Sequence, residues 1–267
     1  MKNIIHFSHA NGFPASTYRT IFAELSDDYD VRYIERIAHD PRFPVTQDWP
    51  HLVEQLIDDI GRTYEQPVWL VGHSLGGYLS LMAALKKPQW VRGVVMLDSP
   101  VVAGWRSSIL RVSQFTGLDE RLSPAAATRT RRTHWASRDE AWRHFHSKPA
   151  FARWDERMLS DYIEFGIPQV SHDGSRSLAF DRRIEYQIYR TLPHTLGARL
   201  ARGAPVPVGF IGGTRSKEVR QVGLSATRLA TGGHIEWIEG SHLFPMEKPI
   251  ETARAVQRML RELSERG

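Results

Sequence analysis

A chain of 267 residues, 41% apolar and 24% charged, is long enough to bury one substantial core and too ordinary in composition to be disordered or collagen-like. It has no cysteine, which excludes a disulfide framework, a thiolate nucleophile and a cysteine-ligated metal. The formal charge is +5, and residues 101–200 hold that excess, with 16 Lys and Arg against 11 Asp and Glu. Such a segment can steer anionic substrates, but it reads first as a solvated, salt-bridged surface.

The chain opens with Met1 to His6 running directly into strand-like sequence, without the apolar stretch of a signal peptide. No later run is long enough to span a bilayer, so no stable membrane insertion and a cytoplasmic location are expected. Asn3 to Ser8 is the first predicted strand, followed by the loop His9-Ala10-Asn11-Gly12-Phe13-Pro14. A helix is expected from Ser16 to Leu25, a second strand over Asp30 to Ile34, and an amphipathic helix from Trp49 to Tyr64.

Val68 to Val71 is a short apolar run of buried-strand type. Gly72-His73-Ser74-Leu75-Gly76 follows, then an Ala- and Leu-rich helical stretch from Tyr78 to Leu85. Strand, G-x-S-x-G and helix in that order form the context in which a serine is held on a sharp, strained turn. The glycines remove the side chains that would keep strand and helix apart. Ser74 is the candidate nucleophile.

Val91 to Leu97 is another strand, with Asp98-Ser99-Pro100 at its C-terminal end. From Val101 to about Ala204 the alternation stops, and the pattern becomes helical, rich in Arg and Trp, without a clear strand. Strands resume at Pro205 to Ile211 and Gly232 to Ile238, and an amphipathic helix closes the chain from Pro249 to Glu265. Alternating strands and helices imply parallel βαβ units, here interrupted by a hundred-residue insertion. The expected organisation is a core domain of residues 1–100 and 205–267 with a helical cap at 101–204.

Three segments, in order, are similar to the α/β-hydrolase superfamily: the loop His9 to Pro14, the turn Gly72 to Gly77, and Gly240-Ser241-His242-Leu243-Phe244-Pro245 with Glu247-Lys248-Pro249. The resemblance covers nearly the whole chain. It implies a mostly parallel, doubly wound α/β sheet, shortened at its N-terminal end, with an inserted helical cap. It also implies that His242 is the general base, because the family places its histidine after the last strand.

A serine needs such a base within hydrogen-bond reach, and the base needs a carboxylate to fix its tautomer. The commonest family position for that acid, after the strand at Pro205 to Ile211, holds Gly212-Gly213-Thr214-Arg215-Ser216-Lys217-Glu218 and no Asp. Asp98 is the favoured acid and Glu218 the alternative. The oxyanion donors are expected to be the backbone N–H of Leu75 and a group of Asn11, with Ala10 next. His9 is read as ordering its loop, and His73 as a packing residue.

Serine at this turn points to acyl chemistry, namely ester hydrolysis through an acyl-enzyme with no metal or organic cofactor. Lactones, thioesters and C–C bonds are alternatives for the same three residues. A binding protein that has lost turnover is the reading from another class. Trp105, Trp135 and Trp142 of the insertion are candidates to line an apolar pocket for a small-molecule acyl substrate, against the plainer reading that they form the insertion's own core. Interleaved Arg and Trp without a recognition motif leave no nucleic-acid partner.

Overall fold

A computed structural model of the chain describes residues 2–104 and 125–265, with side chains of 125–127 not included. Strands β1 (Asn3–Ser8), β2 (Tyr29–Tyr33), β3 (Val68–His73), β4 (Val91–Leu97), β5 (Val208–Gly213) and β6 (Ile235–Ile238) form one sheet in the order β2-β1-β3-β4-β5-β6. Every neighbouring pair is parallel. The order reverses direction between β1 and β3, so the carboxyl ends of those two strands flank a crevice where such sheets place ligands.

Alternation along the strands divides the core into two clusters. Phe7, Trp69, Val71, Val95, Leu97 and Ile211 belong to one. Leu70, Val94, Met96, Val208 and Phe210 belong to the other. Successive side chains of a strand point to opposite faces, so near-continuous apolar runs fill both. Helix α1 (Arg19–Leu25) and the closing helix, Pro249–Ser264, pack on the first face, while α2 (Pro50–Thr63) and α3 (Leu75–Lys86) pack on the second. Leu52, Val53, Leu56, Ile57 and Ile60 form the buried stripe of α2, at the spacing an amphipathic helix requires. Truncating one of them, such as Leu56, to alanine would cost about 2–5 kcal/mol.

Two strands start later than their composition predicts. Pro205 and Pro207 lack the N–H a ladder needs, and β5 begins at Val208. Gly232 and Gly233 both have positive φ, so they form a turn and β6 begins at Ile235. Helix α3 starts three residues earlier than expected, at Leu75 directly after Ser74.

Between β4 and β5 the described residues add α4 (Ala125–Thr130), α5 (Arg138–His146), α6 (Glu156–Asp161) and α7 (Arg182–Arg190). Ser137, Asp155 and Asp181 cap α5, α6 and α7 by accepting a backbone N–H of the first turn. The stretch also holds an antiparallel pair of two-residue strands, His134–Trp135 and Arg176–Ser177, too short to leave a period-two signature. Among its described residues the segment has no separate core. Phe145, Trp154 and Tyr162 join the first cluster, and Phe180 and Ile188 the second. Among the described residues no helix is long and apolar enough to cross a membrane.

Candidate active site

The carboxyl ends of β3 and β4 are adjacent, with His73 in register with Leu97, so the residues that follow them emerge side by side. Those residues are Ser74 and Asp98, with φ of 52° and 47°. Positive φ is uncommon outside glycine and costs of order 1–3 kcal/mol, which the surrounding contacts must hold. Ser74 N–H donates to Leu97 O at 2.9 Å, Asp98 N–H to Ile211 O at 2.8 Å, and Ser99 Oγ to Ser74 O at 2.8 Å. A Cβ on Gly76 would lie 1.9 Å from Ser8 O, and one on Gly72 2.2 Å from Gly76 C. Only glycine allows the turn to close against β1.

His242 enters from the loop after β6. Its Nε2 is 3.0 Å from Ser74 Oγ and its Nδ1 2.9 Å from Asp98 Oδ1. A carboxylate can only accept, so Nδ1 carries the proton and Nε2 is left to accept from the Ser74 hydroxyl. Asp98 is 1% exposed. Its Oδ1 also accepts from Ser216 Oγ at 2.6 Å, and its Oδ2 from Gly213 N–H at 2.7 Å. Glu218, the alternative acid, stands 3.9 Å from His242 Nδ1 and is the more solvent-exposed of the two carboxylates. Burial works against a charged imidazole, but the Asp98 hydrogen bond, its charge and that of Glu218 outweigh it. They hold the His242 pKa above the ordinary value.

The oxyanion candidates are arranged differently from one another. Leu75 is the first residue of α3, where a backbone N–H has no intrahelical acceptor. The Ala10 N–H is taken by Tyr18 Oη at 3.2 Å. Asn11 spends its side chain on the insertion, with Nδ2 donating to Glu185 O at 3.0 Å. Its backbone N–H has no acceptor among the described residues. His9 does order the loop. Its Nδ1 donates to Ala10 O at 2.8 Å and its Nε2 accepts from Ile37 N–H at 2.8 Å.

Trp135 is 1% exposed, packed against Phe145 in the core. Trp142 stacks on His146 and lines a surface groove with Arg138 and Glu156. These placements support packing and surface roles for both. Trp105 lies outside the described residues. Phe13, two residues after Asn11, contacts Trp154 and Tyr162 of the insertion at centroid distances of 5.6 and 5.5 Å. The next residue, Asp155, donates its N–H to Met246 O at 2.9 Å, close after His242 in the chain. An open groove of about 970 Å³ along β2 contains none of the site residues.

Ligand atoms of Asp98, Glu218 and His242 lie within 4.8 Å of one another, a spacing compatible with a cation. Here the Asp98 oxygens are occupied by the imidazole N–H, the Ser216 hydroxyl and the Gly213 N–H.

A model of the alpha/beta hydrolase family matches residues 7–255. The chain belongs to that family. Among curated proteins, this alpha/beta hydrolase is similar to a pimeloyl-[acyl-carrier protein] methyl ester esterase of Shewanella woodyi, at 32% identity over 91 residues. That match spans about a third of each protein. In fold it is similar to E-2-(acetamidomethylene)succinate hydrolase, with TM-score 0.77, 19% identity, and 98% and 92% of the two chains covered. A peroxisomal alpha-beta-hydrolase of Saccharomyces cerevisiae gives TM-score 0.74 at 17% identity, covering 99% of this chain and 78% of that one. The thioesterase domain of the curacin biosynthetic pathway gives 0.69 at 17%, covering 96% and 91%.

Proposed function

We propose that this alpha/beta hydrolase cleaves carboxylic esters of small molecules through an acyl-enzyme on Ser74, with His242 as general base and Asp98 as the acid that orients it. One observation carries the reading: a single imidazole bridges a strained serine at 3.0 Å and a buried carboxylate at 2.9 Å. In this mechanism Ser74 Oγ attacks the ester carbonyl as its proton passes to His242 Nε2. The Leu75 and Asn11 N–H groups receive the developing oxyanion. The tetrahedral adduct collapses, His242 returns the proton to the leaving alkoxide, and the alcohol departs. Water, deprotonated by the same nitrogen, then attacks the acyl-enzyme, and Ser74 leaves with its proton restored.

Asp98 is favoured over Glu218 because it is the nearer, better-buried and more fully hydrogen-bonded of the two. Residues 101–204 are proposed as the cap, with Phe13, Trp154 and Tyr162 beside the acyl site. The partial match to a methyl ester esterase supports an ester substrate.

The test is a panel of p-nitrophenyl esters of increasing chain length beside matched thioesters, with Ser74→Ala as control. The expected result is a pre-steady-state burst of p-nitrophenol in the parent protein and none in Ser74→Ala. Turnover of thioesters alone would move the reading to a thioesterase. No burst and no turnover of any acyl compound would leave a small-molecule-binding member of the family.

A further inference from the structure

His73 fills the variable position between Gly72 and Ser74, where any side chain of suitable size would pack. It is fully buried, and burial holds its pKa down to about 3, so the ring is neutral. A neutral imidazole has one donor and one acceptor, and burying both is unfavourable unless both find partners. They do. Nε2 lies 2.9 Å from the backbone O of His242, and Nδ1 lies 2.8 Å from Tyr18 Oη.

The direction of every proton follows. The His242 carbonyl can only accept, so His73 Nε2 carries the ring proton. Nδ1 is then the acceptor, and the Tyr18 hydroxyl donates to it. That leaves the Tyr18 oxygen lone pairs free to accept the Ala10 N–H at 3.2 Å. The chain therefore runs from the loop after β1, through α1's preceding turn and the residue before the serine, to the main chain of the loop after β6.

We infer that His73 is a positioning residue: through Tyr18 on one nitrogen and the His242 carbonyl on the other, it holds the base and the Ala10–Asn11 turn in fixed relation on either side of Ser74. The role rests on reading Ser74 and His242 as nucleophile and base. It has a second consequence. By committing the Ala10 N–H to Tyr18, the chain leaves the neighbouring Asn11 N–H as the donor available to an oxyanion. The bond accepted by the His242 carbonyl also anchors the backbone from which the ring reaches Ser74, while Asp98 holds only the ring itself.

The experiment compares Tyr18→Phe, His73→Gln, His73→Asn and the double variant Tyr18→Phe/His73→Asn with the parent. The readouts are the rate constant for phosphonylation of Ser74 by a fluorophosphonate, and kcat and KM on p-nitrophenyl acetate. All are normalised to active sites by titration. A glutamine amide nitrogen can take the place of Nε2 and still donate to the His242 carbonyl. An asparagine reaches Tyr18 but falls short of that carbonyl. Displacement of the base predicts a kcat and phosphonylation rate roughly ten- to a hundred-fold lower in His73→Asn and Tyr18→Phe. KM should stay within about two-fold, His73→Gln should lose several-fold less than His73→Asn, and the double variant should lose no more than the worse single, because the residues act as one unit.

Parent-like rates in Tyr18→Phe and His73→Asn, or losses that multiply in the double variant, would overturn the role while leaving the Ser74 chemistry standing. If His73→Asn does not fold, the Tyr18→Phe rate decides alone. A parent protein that the fluorophosphonate does not label removes both this role and the reading beneath it.

Discussion

Two regions hold the site, and they do so by different physics. At the rim of the sheet, position comes from the main chain. Ser74 and Asp98 follow adjacent, in-register strands, both at positive φ, and their backbone N–H groups are tied to Leu97 and Ile211. The insertion reaches the same rim through side chains. Arg131 Nη1 pairs with Glu185 at 2.6 Å, Arg131 Nη2 donates to Tyr162 Oη at 2.9 Å, and the Glu185 backbone O accepts from Asn11. The first arrangement cannot shift without unpairing strands. The second can be rebuilt by exchanging a few side chains, so under the proposed function the reacting groups would belong to the sheet and substrate choice to the insertion.

The comparison breaks most visibly at the nucleophile. Ser74→Ala is expected to lower kcat by about 10⁴-fold or more with an unchanged thermal midpoint, since alanine meets the same backbone strain. Asp98→Asn, which disturbs the His242 tautomer, is expected to cost about 10⁴-fold in kcat. A parent-like Asp98→Asn beside an inactive Glu218→Gln would reverse the assignment of the acid.

Stability against pH sharpens the contrast on the sheet side. His9 and His73 are buried neutral, with pKa values held down to about 4 and about 3. Each uses an unprotonated nitrogen as acceptor, from Ile37 N–H and from Tyr18 Oη. The unfolded chain takes up protons near the ordinary histidine value of about 6.5 while the folded chain does not. Their contribution is therefore full above that pH and is lost as pH falls from about 6.5 toward the folded values, on the order of 3 kcal/mol each by pH 4. Urea titrations from pH 8 to pH 4 would show it as a falling midpoint, and a flat profile would contradict buried neutral rings.

On the insertion side, Glu185→Gln leaves the Arg131 guanidinium largely buried without its counter-charge. It is expected to destabilise by about 3 kcal/mol, while a double replacement by apolar residues of similar volume should recover much of that. The smallest effect is expected at Glu218. Glu218→Gln removes a negative charge that favours the imidazolium, so the His242 pKa falls and the acidic limb of kcat/KM moves to lower pH, with less than about ten-fold change in the plateau.

Much of the rim is legible in the sequence, because it depends on strand ends and on backbone geometry that only certain residues allow. β1 and β4 have the predicted limits, and the glycines around Ser74 mark the close approach of α3 to β1. The contacts that surround Ser74, Asp98 and His242 are not legible, since each joins residues far apart in the chain and no family motif marks them. Ser216 is the clearest case. It caps α8 (Lys217–Val222) by accepting from Val219 N–H, and it donates to Asp98, yet in sequence it marks only the absence of an aspartate. Arg131 and Glu185 look like ordinary surface charges until α4 and α7 pack together. His73 reads as a packing residue because nothing local shows that both its nitrogens will find partners. Trp135, conspicuous in sequence, is simply core.

The most direct measurement is peptide-resolved mass spectrometry of the parent protein after brief exposure to a fluorophosphonate at neutral pH. A Ser74 nucleophile activated by His242 predicts one stoichiometric adduct, on Ser74, absent from Ser74→Ala and much slower to form in His242→Ala. An adduct confined to another serine, or equal labelling of Ser74 with and without the His242 imidazole, would contradict it.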